Sequence, residues 1–117
     1  MGKKSPKRKM ADKLDKLWAD KVKVGGSCVK CGKTSYLNAH HIYSRSNRAV
    51  RWYLPNGICL CSGCHTLSSK FSAHKTPMEF SEFVLNLRGN EWLEDLKLKS
   101  REVFDGDYDR ILSELDT

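Results

Sequence analysis

Four cysteines of this chain form two Cys-x-x-Cys pairs, a spacing typical of metal ligands. The pairs are Cys28–Cys31 and Cys61–Cys64. Two such turns can place four thiolates tetrahedrally around Zn²⁺, which leaves no open coordination position for chemistry. We therefore predict a closed structural zinc site formed by Cys28, Cys31, Cys61 and Cys64.

Three histidines and an asparagine lie in the same segment but outside the thiolate set: His40, His41, His65 and Asn56. Adjacent residues of a strand point to opposite faces, so His40 and His41 are not expected to chelate one ion as a pair. At a strand end, one can face a metal ion while its neighbour faces a reacting water molecule. His74 is interpreted as a structural residue. Together, the other three histidines and Asn56 favour a second metal site that is open and catalytic, over a zinc module without catalysis.

The elements that must position these residues follow from apolar periodicity and turn residues. Helical spacing predicts a helix over residues 10–23, ended by Gly25–Gly26. Two short strands are predicted over residues 37–42 and 58–60, as a hairpin with a long connecting loop. A helix is predicted from residue 61 to about residue 71, with Cys64 and His65 in its first turns.

The C-terminal part is predicted to be helical. The sequence Thr76-Pro77-Met78-Glu79 is typical of a capping box with proline at the first helical position, and Gly89 ends that helix. Asn90 is predicted to cap a further helix, and Asp107 to begin a last short one. In the helix capped by Asn90, the predicted apolar face comprises Trp92, Leu93, Leu96 and Val103. We interpret this part as a packing scaffold.

Length and composition favour one small domain. A chain of 117 residues forms a core that is barely adequate alone, and a zinc ion would supply folding free energy. We divide the chain into a flexible basic arm (1–9), a core (10–75) and a helical extension that packs on it (76–117). No signal-like or membrane-spanning stretch is evident, so we expect a cytoplasmic protein with metal-bound rather than disulfide-bonded cysteines. The fifth cysteine, Cys59, is expected to be buried as a small apolar residue.

Positive charge is concentrated on the part of the chain that carries the ligand motifs. Residues 1–75 contain 16 Lys and Arg against 3 Asp, a charge of +13, whereas residues 76–117 carry −6. This asymmetry favours a polyanionic partner over a merely soluble surface with a disordered basic tail. The predicted phosphate-binding residues are Arg45, Arg48, Arg51, Lys70 and Lys75.

Two aromatic residues follow the arginines of the loop. Trp52 and Tyr53 could stack on bases or wedge into a groove, or they could pack over the hairpin. We favour packing, because aromatic side chains of small domains usually contribute to the core.

The string Ala39-His40-His41-Ile42, followed by Asn56-Gly57-Ile58-Cys59-Leu60-Cys61-Ser62-Gly63-Cys64-His65, resembles the HNH endonuclease motif. The resemblance implies an α+β fold with a small ββα-metal (HNH/treble-clef-like) core, a four-cysteine zinc site and flanking N- and C-terminal helices. A longer pattern that includes the helix beginning at Pro77 and the stretch Gly89–Trp92 is similar to phage NinG/Rap-type recombination proteins and small phage HNH nucleases. It implies a phage or prophage origin.

The resemblance also implies a role for each residue. His41 corresponds to the general base, while His40 and His65 correspond to ligands of a catalytic divalent ion such as Mg²⁺ or Mn²⁺. Asn56 either braces the loop and orients the base, or approaches the metal. Some relatives have a further ligand at the position of Ser69, which is a weak ligand here.

The implied function is metal-dependent hydrolysis of DNA phosphodiester bonds, with 5′-phosphate and 3′-hydroxyl products and little sequence specificity. DNA is the expected partner of a monomeric enzyme, together with phage recombination or terminase proteins. The alternative is a non-catalytic zinc module that binds nucleic acid or docks on phage DNA-processing machinery.

Overall fold

The computed structural model describes residues 3–116 and shows a small α+β domain built on a two-stranded sheet. Met1 and Gly2 of the predicted arm, and the last residue, lie outside the described part. Five main elements follow one another along the chain: α1 (Pro6–Val22), β1 (Leu37–His41), β2 (Gly57–Cys61), α2 (Pro77–Ser100) and α3 (Tyr108–Leu115). None of the helices among residues 3–116 has the length and apolar character needed to cross a membrane.

Helix α1 begins four residues before the predicted start. The Ser5 hydroxyl accepts a hydrogen bond from the Arg8 amide at 3.2 Å, and Pro6 occupies the first helical position. Both features start helices, so residues 6–9 are helical and not part of a flexible arm as predicted. The buried stripe of α1 packs with α3 and the loop before β2 in one apolar cluster, whose members are Ala11, Leu14, Trp18, Trp52, Ile111 and Leu115.

The two strands form the predicted antiparallel hairpin, each within two residues of its predicted ends. The register pairs Leu37 with Cys61 and His41 with Gly57. Helix α1 lies directly against the start of β2, where a Cβ atom on Gly57 would overlap the side chains of Val22 and Trp18. Glycine at this position therefore allows α1 to approach the strand that leads to the cysteines.

The helix predicted over residues 61–71 is wrong. Cys61 remains in β2, and only a π-helical turn over Gly63–Leu67 follows. The Ser68 hydroxyl accepts hydrogen bonds from the amides of Lys70 and Phe71, both at 3.2 Å. A serine side chain that binds nearby backbone amides competes with helical hydrogen bonding, so the chain leaves the helix at this residue.

Helix α2 begins at Pro77 as predicted, but not through a capping box. The Thr76 hydroxyl instead bonds Ser72, accepting from its amide at 2.9 Å and donating to its carbonyl at 3.0 Å. Gly89 breaks the helical geometry inside α2 with φ 86° and ψ 173°, at the predicted division between two helices.

The second part of α2 ends earlier than its predicted apolar face. Leu96 is fully buried, but Val103 lies beyond the helix end at Ser100 and is 92% exposed, so its predicted place on that face is wrong. Helix α3 begins as predicted, with the Asp107 carboxylate accepting from the Arg110 amide at 3.0 Å.

Candidate metal centres

The four paired cysteines form one cluster. Their sulfur atoms all lie within 4.8 Å of one another, and the sulfurs of Cys31 and Cys61 are 3.6 Å apart. Cys28 and Cys31 come from the turn after α1, Cys61 from the end of β2 and Cys64 from the π-helical turn. The clustering confirms the prediction that these residues converge, and the cluster is compatible with a structural metal such as Zn²⁺.

Backbone hydrogen bonds fix the first pair against the sheet. The Gly32 amide donates to the Cys28 carbonyl at 2.9 Å, in a turn where Gly32 has φ 77°. The Val29 amide donates to the Cys59 carbonyl at 3.1 Å, which ties this turn to β2. Cys59 itself is buried and outside the cluster, as expected.

The environment of the cluster shifts the pKa values of Cys28 and Cys64 in opposite directions. Burial raises the pKa of Cys28, but backbone amides from Cys61 and Cys31 outweigh this effect and lower it to about 7. Burial raises the pKa of Cys64, and the neighbouring cysteine sulfurs raise it further. Four thiolates at these distances need a compensating positive charge, which a bound dication supplies.

Three histidines form a second cluster. His65 Nε2 lies 3.1 Å from His40 Nδ1 and 3.1 Å from His74 Nε2, and the three ligand atoms lie within 4.8 Å of one another. His40 comes from β1, His65 from the π-helical turn and His74 from the loop before α2. The structure thus brings His40 and His65 together, and it adds His74, which sequence reasoning interpreted as structural.

Local folding after the π-helical turn explains how His74 reaches the cluster. The chain doubles back, so that the Ala73 amide donates to the Cys64 carbonyl at 2.8 Å and the His74 amide donates to the His65 carbonyl at 3.1 Å. The only sequence signal for His74 was its spacing from His65. Because a helix was predicted as far as residue 71, the reversal of the chain that brings His74 to His65 was not expected. Ser69, the position of a further ligand in some relatives, is exposed.

The environment of His40 and His65 favours the neutral imidazole, which is the form that binds metals. Burial, followed by repulsion from His65 and His74, lowers the pKa of His40 to about 4. Burial also lowers the pKa of His65. Neutral imidazole nitrogens with free lone pairs suit a divalent transition metal.

His41 has a separate environment beside the cluster. Its ring stacks on Trp18, with centroids 3.9 Å apart and planes 12° apart, and its Nε2 lies 2.9 Å from the Arg51 carbonyl oxygen. A carbonyl only accepts hydrogen bonds, so Nε2 carries the hydrogen and the neutral ring keeps a free lone pair on Nδ1. Burial lowers the pKa of His41, which favours this neutral form.

One open cavity joins these groups. It has a volume of about 620 Å³, and its lining includes all four histidines of the chain and Arg45. The predicted base, the two predicted ligands, His74 and one predicted phosphate-binding residue therefore face the same space.

Asn56 is fully buried and braces the loop that precedes it. Its Oδ1 accepts from the Tyr43 amide at 2.7 Å, and its Nδ2 donates to the carbonyls of Tyr43 and Val50, both at 3.1 Å. Both amide hydrogens are used within the loop. Among the described residues, His41 Nε2 donates the hydrogen bond that orients its ring to the Arg51 carbonyl and not to Asn56. Of the two roles left open by the sequence, this geometry fits the brace.

The predicted phosphate-binding arginines differ in availability. The side chain of Arg51 is 14% exposed and binds Asp15 through two hydrogen bonds of 2.9 and 2.7 Å. Burial raises the pKa of Asp15, but hydrogen bonds from Arg51 and Trp52 outweigh this effect and lower it. Arg45 contacts the same carboxylate at 3.0 Å but is 61% exposed. Arg51 therefore organises the loop, and Arg45 is an exposed residue of the cavity lining.

The other three predicted phosphate-binding residues lie outside the histidine cavity. Arg48 donates to the Tyr108 hydroxyl at 2.9 Å, and Lys75 donates to the Leu67 carbonyl at 3.1 Å. Lys70 is exposed. None of these three lines the histidine cavity.

The aromatic residues of the loop pack, as favoured from the sequence. Trp52 is 3% exposed and donates to Asp15 at 2.9 Å, while the half-buried Tyr53 donates to Asp95 at 2.6 Å. The Trp52 ring is therefore part of the core and is not available to stack on a base.

No protein-family model, curated protein or solved structure matches this chain. Its function is therefore argued from the geometry of the two clusters and the cavity.

Proposed function

We propose that this protein is a metal-dependent endonuclease of the HNH type, which hydrolyses phosphodiester bonds of DNA with little sequence specificity. The observation that carries the proposal is the convergence of His40, His65 and His74 on a cavity that His41 also lines. Metal-assisted hydrolysis requires metal ligands beside a neutral base with a defined tautomer. The three clustered histidines are suited to the first role and His41 to the second.

His41 is the proposed general base. Its Nδ1 takes the proton of the attacking water, while the hydrogen bond from Nε2 to the Arg51 carbonyl holds the ring in orientation and stabilises the imidazolium that forms. Stacking on Trp18 prevents rotation of the ring. Because burial lowers its pKa, the imidazole is unprotonated and active in neutral solution.

His40, His65 and His74 are the proposed ligands of a catalytic divalent ion. When bound, the ion would polarise the scissile phosphate and stabilise the leaving 3′ oxygen. Three imidazole nitrogens favour Mn²⁺ or another transition metal over Mg²⁺, which prefers oxygen ligands. Arg45, exposed at the cavity, binds a phosphate oxygen of the substrate.

The cysteine cluster is proposed to hold structural Zn²⁺ and thereby to position the histidines. Cys64 immediately precedes His65, and its carbonyl accepts the amide that begins the return to His74. A thiolate-bound zinc would fix this segment, whose backbone is otherwise irregular.

The biological setting is proposed on resemblance alone. By its likeness to phage HNH nucleases, the enzyme would act as a monomer in the cytoplasm of a host cell, in recombination or packaging of phage DNA. It would work with recombination or terminase proteins and leave 5′-phosphate and 3′-hydroxyl ends.

A plasmid-nicking assay in Mg²⁺ or Mn²⁺ tests the proposal. Wild-type protein is expected to nick supercoiled DNA, and His41→Ala and His41→Gln are expected to lose at least about 100-fold in rate, the lower end for loss of a general base. Circular dichroism and zinc content of the variants must match wild type. DNA binding without cleavage in any divalent metal would instead favour the non-catalytic zinc module.

A further inference from the structure

A second cavity, next to the histidine cavity, is lined mainly by cations. It has a volume of about 390 Å³ and lies between α1, the loop before β2 and the start of α3. Five positively charged side chains line it, namely Lys7, Arg8, Arg45, Arg48 and Arg51. Of these five side chains, only that of Arg45 takes part in the proposed hydrolysis.

The nearby carboxylates do not neutralise this charge. Asp15 is occupied by Arg51 and Arg45, and Asp12, on the cavity wall, is paired with Lys4 at 2.7 Å. Among residues 3–116, neither Lys7 nor Arg8 has a carboxylate within ion-pair distance.

Arg48 also has no carboxylate within ion-pair distance among residues 3–116. Its side-chain partner is the neutral hydroxyl of Tyr108, at 2.9 Å. A concave surface with three cations that form no close ion pair among residues 3–116 attracts an anion, and guanidinium groups favour phosphate.

The two cavities share Arg45, which lines both. An inorganic phosphate or a mononucleotide would occupy one cavity only, whereas a polynucleotide strand carries a phosphate for each. We propose that the second cavity binds a further backbone phosphate of the strand whose scissile phosphate lies at the histidines. The substrate class is then a polynucleotide and not a small phosphodiester. This inference rests on the proposed nuclease function.

Salt-dependent binding tests the cavity without catalysis. The triple variant Lys7→Ala/Arg8→Ala/Arg48→Ala and the matched variant Lys13→Ala/Lys33→Ala/Arg101→Ala are compared, both in a His41→Ala background, with a fluorescein-labelled duplex of about 20 base pairs, long enough to span both cavities. The matched set removes the same charge from exposed residues outside the cavity.

Each phosphate contact contributes about −0.9 to the slope of log K against log salt. We therefore expect the cavity variant, which loses one phosphate contact, to lose about 1 from the magnitude of the slope, and the matched variant less than about 0.5. Equal losses for both variants would overturn the inference, because net charge alone would then account for binding.

Turnover separates this inference from the proposed function. With His41 intact, kcat/KM is measured for the duplex and for bis(p-nitrophenyl) phosphate. The cavity variant is expected to lower the ratio of the two values about fivefold, as one lost phosphate contact implies at moderate salt, and the matched variant less than about twofold. A proportional fall on both substrates would place the cavity in the catalytic site and overturn the inference.

Two further outcomes are decisive. If wild type hydrolyses neither substrate but the cavity variant alone loses duplex affinity, the nuclease proposal fails and the phosphate cavity stands. If polyglutamate of equal charge competes as well as the duplex, the assignment to nucleic acid is overturned.

Discussion

The cysteine and histidine clusters lie close together in the chain but differ in ligand type and in what surrounds them. The cysteine sulfurs form a four-thiol set, and none of the four lines the large cavity. The histidine nitrogens form a three-member set that faces a cavity of about 620 Å³ beside a neutral base. A complete thiolate set suits a structural ion, whereas three imidazoles leave coordination positions open. The proposed function therefore gives the cysteines a role in folding and the histidines a role in chemistry.

We expect the two clusters to be coupled in one direction. Cys64 and His65 are neighbours in the π-helical turn, and the return of the chain through Ala73 to His74 is hydrogen-bonded to both. Loss of the cysteine cluster is therefore expected to disperse the histidines, but loss of a histidine leaves the cysteines in place. The predictions below test this asymmetry.

The largest effect is expected from Cys61→Ser. This residue is 4% exposed at the end of β2, and its loss breaks a four-thiolate site that contributes folding free energy directly. We expect loss of zinc and of cooperative unfolding, measured by metal analysis and circular dichroism. Cys59→Ala, a buried cysteine outside the cluster, is the matched control and should retain zinc with a cost of about 1 kcal/mol. A folded, zinc-free Cys61→Ser protein would contradict the structural role.

His65→Ala is expected to separate folding from activity. The variant should keep one zinc ion and a melting temperature near that of wild type, but lose at least about 100-fold in nicking rate. His65 Nε2 lies 3.1 Å from both other ligand nitrogens, so its loss removes the central ligand and with it the Lewis acid that acts on the substrate phosphate. Melting curves, zinc content and nicking are measured on the same preparation. Unfolding comparable to that of Cys61→Ser would show that the two clusters form one structural unit.

His74→Ala is expected to weaken the catalytic metal without abolishing its binding. Two imidazoles remain, so we expect at least about a tenfold rise in the Mn²⁺ concentration needed for half-maximal nicking, with partial recovery at high Mn²⁺. Ser69→Ala, in the same loop, should match wild type. An unchanged Mn²⁺ dependence of His74→Ala would remove His74 from the ligand set.

The smallest effect concerns the loop that holds the base. Asp15→Asn removes charge-assisted bonds to Arg51, and we expect a loss of about 1–3 kcal/mol in unfolding free energy with zinc retained. Asp20→Asn, in an exposed pair with Lys16, should cost less than about 1 kcal/mol. Chemical denaturation measures both, and equal costs would contradict the organising role of Arg51.

Much of the cysteine cluster could be predicted from sequence, because ligand spacing and turn residues are local signals. The two strands were placed within two residues of their ends for the same reason. The predicted strands and helices, which have distinct periodicities, agree with the α+β composition of the structure, whereas the ββα-metal core is implied by the resemblance alone.

The histidine cluster was predicted only in part. The position of His74 depends on the Ser68 hydroxyl, which ends the helical segment early, and on a reversal held by long-range backbone bonds. The internal role of Arg51 depends on Asp15, 36 residues away in sequence. Periodicity does not report such contacts.

A cobalt titration of metal-free protein tests most directly whether the clusters hold two separate ions. The first equivalent of Co²⁺ is expected to produce the intense thiolate charge-transfer absorption of a tetrahedral sulfur site, and a second equivalent to add a visible spectrum without further thiolate absorption. In His65→Ala, the first spectrum should remain and the second should vanish. A single equivalent at saturation, or loss of the thiolate absorption in His65→Ala, would contradict the division into two sites.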